Sequence, residues 1–239
     1  MKTIKSDTII SIIIPTLNEE EGIAKVICSI PEEIKKKSEL IVVDVSDDFT
    51  SIIAGRLGAI VLKEKKGGKG WQMRQAVKKS KGDILIFLDG DGTDPAQYIP
   101  KLLKKLEKAN LVLGCRNSEK FDGEDQKNNK LWNYNKIISY PASYMLGLKV
   151  SDPLAGFRAI RRKDWDKLNL KSSDFEIETE MNIKALKNNF IIEQVLIPNL
   201  KRCGGVRASK FNKNPKMWFK IFKMILDYSR EKSEAKNNA

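Results

Sequence analysis

An α/β fold, one domain with a mostly parallel central sheet flanked by helices, is predicted by three observations. From Thr8 to Cys115, short β-branched and apolar runs alternate with segments of helical spacing. The runs are apolar throughout, as expected of strands covered on both faces. One of them, Ile84-Leu85-Ile86-Phe87-Leu88, ends abruptly in Asp89-Gly90-Asp91-Gly92. Open parallel sheets bind ligands beyond the carboxyl ends of such strands.

Residues 8–15 read as the first strand. Residues 19–30 carry Ile23, Val26, Ile27 and Ile30 at helical spacing and stop at Pro31. Residues 40–45 form the second strand, 50–57 a short helix closed by Gly58, and 59–62 the third strand. Residues 63–70, KEKKGGKG, read as a basic, glycine-rich loop ahead of a helix over 71–79 and the fourth strand, 84–88. Pro95, a favoured first-turn residue, opens a helix running to about Ala109. Residues 111–115 are the fifth strand, and the polar stretch 118–130 reads as a surface loop. A helix over 131–148, a strand over 157–160, a helix over 176–188 and a strand over 191–197 follow. The domain is expected over residues 1–214. A basic amphipathic helix over 215–230 and a disordered polar tail, 231–239, complete the chain.

The composition narrows the chemistry. At 239 residues and 41% hydrophobic content the chain can bury a sizeable core. There is no histidine, which excludes Ser-His, Cys-His and His-metal sites, and Cys28, Cys115 and Cys203 lack metal-ligand spacing and read as reduced thiols. No apolar run approaches the length that spans a bilayer. The net charge is +13, and residues 201–239 alone carry eleven basic and three acidic side chains, net +8. Such a patch implies phosphate groups nearby: nucleic acid, anionic lipid or a phosphorylated substrate. Asp89 and Asp91 offer hard oxygen ligands suited to Mg²⁺ or Mn²⁺, and such a cation suits a diphosphate. An Asp-rich turn after a strand is the plain alternative.

Several motifs in order resemble a family 2 glycosyltransferase of the GT-A fold. They are Ser11-Ile-Ile-Ile-Pro15-Thr-Leu-Asn18-Glu19, Val42-Val43-Asp44-Val-Ser46-Asp47-Asp48, Phe87-Leu88-Asp89-Gly90-Asp91-Gly92 and Leu113-Gly114-Cys115-Arg116. Asp152-Pro-Leu-Ala-Gly156-Phe157-Arg158, residues 175–185 and Arg207-Ala-Ser209-Lys210 resemble the subgroup that transfers sugars to dolichyl or other polyprenyl phosphates. Three positions depart from the pattern. Val45 stands where a second aspartate is common, leaving Asp47 or Asp48 as replacements. Gly90 stands where alanine is common, and Lys130 is the nearest cation where the lipid-phosphate region usually has arginine.

The resemblance implies a GDP- or UDP-linked sugar as donor, with Pro15, Leu17, Glu19, Val43 and Asp44 around its base and ribose. Asp89, Gly90 and Asp91 would form the metal and ribose site, with both carboxylates as candidate ligands. Lys69, Arg207 and Lys210 are candidates for the donor phosphates, Lys69 being otherwise a solvated loop lysine. Arg116 and Lys130 would meet the acceptor phosphate. Asp152 would orient the sugar or acceptor, or cap the turn before Pro153. Asp91, Asp152 and Arg116 form the expected catalytic set. Of Glu176, Glu178 and Glu180, the last matches the resemblance and the other two read as solvated.

The expected reaction is inverting transfer of a hexose or N-acetylhexosamine to a polyprenyl phosphate. The enzyme is expected to be cytoplasmic and peripheral on the cytoplasmic face of a membrane, held by the 215–230 helix or by a small membrane partner, with no nucleic acid. Three rivals remain: a transferase using a soluble hydroxyl acceptor, a sugar nucleotidyltransferase, and a non-catalytic basic module binding RNA or membrane.

Overall fold

The computed structural model describes residues 9–116, 139–204 and 215–237. In chain order these form β1 (Ile10–Thr16), α1 (Glu20–Cys28), α2 (Glu32–Lys35), β2 (Ser38–Asp44), α3 (Thr50–Arg56), β3 (Ile60–Lys63), α4 (Lys69–Lys79) and β4 (Ile84–Phe87). A 3-10 turn (Ala96–Tyr98) leads into α5 (Ile99–Leu106), β5 (Leu111–Arg116), α6 (Tyr140–Leu146), β6 (Arg158–Arg161), α7 (Arg162–Leu168), α8 (Ile177–Lys187), β7 (Ile192–Ile197) and α9 (Pro215–Asn237).

The seven strands make one sheet in the order β3-β2-β1-β4-β6-β5-β7. Alternate side chains of each strand enter opposite cores. Ile12, Ile14, Val42 and Ile86 pack with Ile23 and Ile27 of α1 and Leu102 and Leu106 of α5. Ile13, Ile41, Val43, Leu85 and Phe87 pack with Met73 and Ala76 of α4, Trp165 of α7 and Met181 of α8. This double coverage is why the strands are apolar at consecutive positions. Each fully buried large side chain contributes roughly 1.5–3 kcal/mol.

β6 alone runs against its neighbours, pairing antiparallel with β4 and β5. Its register sets Arg158 opposite Phe87. The segment entering β6, Asp152 to Phe157, therefore arrives at the edge where β1, β2, β4 and β5 end. β7 lies parallel to β5, with Ile197 opposite Arg116, so the chain leaving β7 emerges at this same edge.

The structure adds two helices that the sequence reading lacked, α2 and α7, starts β2 at Ser38 and α5 at Ile99, and moves two further boundaries that bear on the site. α4 begins at Lys69, inside the expected loop, because Gly68 stays extended and the next residues turn helical. α9 runs on to Asn237, through most of the expected disordered tail. Residues 231–236 contain no glycine or proline to stop it. Glu231 pairs with Lys187 of α8 at 2.6 Å, and Lys232 Nζ donates to the Leu146 carbonyl. Met217, Ile221 and Ile225 of α9 pack against Ala142 and Leu146 of α6 and Ile183 of α8. One face of α9 thus belongs to a core, while Phe219 and Phe222 stay 69% and 54% exposed on the other.

Candidate active site

The carboxyl edge of the sheet gathers the expected aspartates. β4 ends at Phe87, Leu88 donates its N–H to Ile13 O, and the chain then turns through Asp89 to Asp94. Gly90 fits tightly here: a Cβ would lie 2.8 Å from Thr16 Cγ2, so an alanine would force a shift. Gly92 adopts φ +79°, a left-handed conformation that favours glycine. Asp89 donates its N–H to Asp94 Oδ2 at 2.9 Å, so Asp94 supports the turn from within.

Asp89 Oδ1 accepts from Lys69 Nζ at 2.6 Å, and the same ammonium contacts Glu178 Oε1 at 2.7 Å. Burial disfavours the Lys69 charge, but the two carboxylates outweigh it and hold its pKa above the ordinary range. Glu178 is buried, and burial raises its carboxyl against the pull of Lys69. Asp91 Oδ1 accepts from Thr93 N–H at 2.9 Å and from its hydroxyl at 2.6 Å. Asp91 Oδ2 receives Arg202 Nε at 2.9 Å and NH2 at 2.6 Å. Cys203 N–H reaches the Asp91 carbonyl at 3.0 Å, fixing the chain after β7 across the turn. Burial opposes the charged form of Asp91, yet Arg202, Thr93 and Arg116 together keep its pKa below the usual carboxylate range. Asp94 goes the other way: burial, then the Asp89 charge, push it up to about 7. Arg116 lies 3.6 Å from Asp94 Oδ1, and its buried Nε has no hydrogen-bond partner among the described residues.

The nucleotide-side candidates occupy the adjoining loops. Pro15 is buried, Leu17 is exposed, and Glu19 opens α1 with Arg202 NH2 3.9 Å from its Oε1. Val43 is a core residue whose carbonyl accepts from Gln72. Asp44 is fully buried and accepts from Thr16 Oγ1 at 2.7 Å, from the Ser46 hydroxyl and from Lys63 Nζ at 2.8 Å. Asp48 Oδ1 receives the Thr50 N–H at the start of α3, and its Oδ2 receives the Glu20 N–H. Asp47 donates its N–H to Asn18 Oδ1. Asp152 is buried, with Oδ1 accepting from Leu154 N–H at 3.3 Å and Ser139 Oγ at 3.4 Å, the arrangement of a turn cap. Arg207, Lys210 and Lys130 lie outside the described residues.

Two expectations are corrected. Lys69 is a buried helix residue, not a solvated loop lysine. Glu176 and Glu178 are both 3% exposed: Glu178 holds Lys69, and Glu176 pairs with Lys220 of α9 at 2.8 Å. Glu180 receives the N–H groups of Lys171 and Ser172. Positions two apart on a helix point in different directions, so the three carboxylates serve three neighbours.

Sequence reasoning missed Arg202, Asp94 and Arg158. Asp94 was detectable as a third carboxylate within six residues of one turn. Arg158 is fully buried, and its guanidinium donates to the carbonyls of Ala155, Pro153 and Glu178 and to Asn182 Oδ1. It thereby stiffens the segment that enters β6.

Among the described residues no cluster of three His, Cys, Asp or Glu side chains could hold a metal ion. Asp89 and Asp91 offer hard carboxylate oxygens of the kind Mg²⁺ or Mn²⁺ takes, a partial shell that phosphate and water oxygens would have to complete.

Residues 11–168 match the profile of glycosyl transferase family 2. A dolichyl-phosphate hexose transferase of Haloferax volcanii is 26% identical over 224 residues, 91% of this chain and 94% of that protein. Glycosyltransferase AglJ of the same organism is 33% identical over 192 residues, 79% of this chain and 61% of that protein. Among solved structures, glucosyl-3-phosphoglycerate synthase of Mycobacterium tuberculosis, in complex with Mn²⁺, UDP and phosphoglyceric acid, superposes with a TM-score of 0.74. It is 23% identical and covers 93% of this chain and 78% of that chain. The fold is that of the GT-A glycosyltransferases. The matched region covers most of the sheet together with both acidic turns, and this chain belongs to glycosyl transferase family 2.

Proposed function

We propose that this glycosyltransferase moves a hexose or N-acetylhexosamine from a GDP- or UDP-linked sugar to a polyprenyl phosphate, with inversion. One observation carries the choice of acceptor. Among the described residues at this edge, Asp89 holds Lys69, Asp91 holds Arg202 and Asp152 caps a turn, while Asp94, whose Oδ1 has no hydrogen-bond partner, is buried beneath the turn where it supports the Asp89 N–H. A hydroxyl acceptor requires a general base. A phosphate monoester is anionic near neutral pH and requires none. The dolichyl-phosphate hexose transferase relative, matched along 94% of its length, supports the same reading.

Asp89 and Asp91 would hold Mg²⁺ or Mn²⁺ against the donor diphosphate. The bound cation supplies charge stabilisation as the nucleoside diphosphate leaves. Because both Arg202 nitrogens occupy Asp91 Oδ2, ligation through that oxygen requires Arg202 to turn away. Arg116 and Lys130 would receive the acceptor phosphate, and Arg207 and Lys210 the donor phosphates. Pro15, Leu17, Glu19, Val43 and Asp44 would frame the base and ribose, with Asp44 acting from its buried position.

No helix among the described residues is long and apolar enough to cross a membrane. The exposed face of α9, with Phe219, Phe222, Lys216, Lys220 and Lys223, has the aromatic and basic character of an interfacial helix. Its beginning lies on the active-site side, because Lys220 pairs with Glu176, two residues before the Glu178 that holds Lys69. On this reading the enzyme would work as a peripheral protein at a membrane surface, taken to be the cytoplasmic face, with its acceptor entering from the bilayer.

The test combines transfer and binding assays. Purified protein with Mn²⁺ and a panel of nucleotide sugars should label polyprenyl phosphate in preference to glycan hydroxyls or 3-phosphoglycerate. It should also bind anionic liposomes, less at high salt. Phe219→Ser with Phe222→Ser should weaken liposome binding without unfolding; deleting α9 would instead open the core it shares with α6 and α8. Preferential labelling of a soluble acceptor would overturn the lipid reading.

A further inference from the structure

Lys69 is held where its ammonium has no freedom to follow a ligand. Its side chain is 9% exposed, between Asp89 and Glu178. The first turn of α4 is clamped to the segment before α8. Trp71 donates its N–H to Ser173 O at 2.9 Å, and a Cβ at Gly68 or Gly70 would lie 2.5 Å from the carbonyl oxygens of Ser173 or Ser172. On the other side, a Cβ at Gly156 would lie 2.6 Å from Asp89 Oδ2 and 2.8 Å from Lys69 Nζ. Backbone thus closes on the pair from two directions.

Glu178 faces two cations: its Oε1 contacts Lys69 Nζ at 2.7 Å, and its charge acts on the buried Arg158 guanidinium, which also donates to the Glu178 carbonyl. Glu178 is buried, and its Oε2 has no hydrogen-bond partner among the described residues. A buried ion pair with an unsatisfied oxygen is a poor source of stability, and apolar residues of similar volume often do as well. Its distinctive effect is geometric: Glu178 fixes the ammonium, and the ammonium fixes Asp89 Oδ1. Any ligation by Asp89 would then fall to Oδ2.

We propose that Lys69 and Glu178 are positioning residues that aim the Asp89 carboxylate, and that Lys69 acts on the donor through Asp89 and not by direct contact with the diphosphate. The proposal rests on the reading of Asp89 as a donor and metal contact. Without Lys69, Asp89 would face Glu178, Asp91 and Asp94 with Arg116, Arg158 and Arg202 to offset them.

The test uses the full chain and needs no transfer reaction. Mn²⁺ binding is measured by electron paramagnetic resonance, alone and with UDP or GDP, alongside thermal unfolding. Three variants are compared: Lys69→Met, Glu178→Gln and the double Lys69→Met, Glu178→Leu. Outer-shell partners of metal ligands typically change affinity by about 10–100-fold. Lys69→Met should weaken Mn²⁺–nucleotide binding by about that range and lower the melting temperature, since it strands the Glu178 charge. The double variant removes that charge and should recover part of the melting temperature, the rest being lost because Arg158 loses a counter-charge, while binding stays weak. Glu178→Gln, nearly isosteric, should weaken binding several-fold with a smaller thermal change. Parental binding in the double variant and in Glu178→Gln would overturn the proposal. A parent protein that binds neither Mn²⁺–UDP nor Mn²⁺–GDP would instead count against the glycosyl-donor reading itself.

Discussion

The two acidic turns at the carboxyl edge are built from similar residues and wired differently. Asp44, at the end of β2, is opposite Thr16 on one side and Lys63 on the other, and both bond to it. Thr16 and Lys63 are its register neighbours and Ser46 lies two residues on, so sheet pairing and the local turn fix them. Asp89 and Asp91, past the end of β4, take partners from α4 and from the chain after β7, with α8 behind Lys69. Arg202 lies 111 positions from Asp91 and Lys69 lies 20 from Asp89. A carboxylate held by register stays put when a ligand arrives. Asp91, held by Arg202 from the chain after β7, can exchange a partner for a ligand while Lys69 keeps Asp89 aimed, which on the proposed function makes the second turn the chemical one.

The sharpest break in that comparison is Asp91→Asn. It should lower turnover on the order of 1,000-fold, a loss of roughly 4 kcal/mol of transition-state stabilisation, and leave the circular dichroism unchanged. Initial rates at saturating donor and Mn²⁺ give the readout. Near-parental turnover would remove Asp91 from the chemistry.

Asp44→Asn probes the other turn and should act on stability first. It removes the charge that Thr16, Ser46 and Lys63 share. The expected cost is about 2 kcal/mol, because a buried charged acceptor is weakened while Lys63 keeps partial access to water. Urea unfolding measures it. A fully stable variant would reverse the contrast and show that the Asp44 charge is not what holds this turn.

The same contrast explains what was legible in the sequence. β1, β2 and β4 announce themselves by apolar runs, and Asp89 and Asp91 by standing directly after one. Those signals are local. The identity of Lys69 was visible, but its burial depends on Asp89 and on Glu178, which lie in other elements. Glu178 looked solvated because its polar neighbours in sequence give no hint that the helix face it occupies meets α4. Arg202 was one basic residue among many in a basic segment. The direction of β6 was not readable, since a four-residue strand carries no mark of its polarity and only its pairing with β4 and β5 sets it. Residues 231–237 read as a tail because they are polar, while their contact to α8, the Glu231–Lys187 pair, lies between distant elements.

Glu180→Gln gives the smallest effect and sharpens the comparison by testing a carboxylate held locally. Glu180 accepts the Lys171 N–H at 2.9 Å and the Ser172 N–H at 2.7 Å, and it pairs with Lys184 one helical turn on at 2.8 Å. Burial opposes its charge, but Lys184 and the backbone donors hold the folded pKa below the ordinary 4.5. The sign follows from linkage. As the pH falls the unfolded chain takes up this proton first, so the contribution is complete above the unfolded pKa and is lost as pH drops through the folded one. After allowance for solvent screening, the carboxylate should be worth about 1 kcal/mol at neutral pH. Glu180→Gln should therefore lower stability at neutral pH, and the gap to the parent should close with acidification past the folded pKa. Urea unfolding of both proteins across that range measures the gap. A gap that persists unchanged into acid would mean that hydrogen-bond geometry, not charge, holds residues 171–172 in place beneath the first turn of α4.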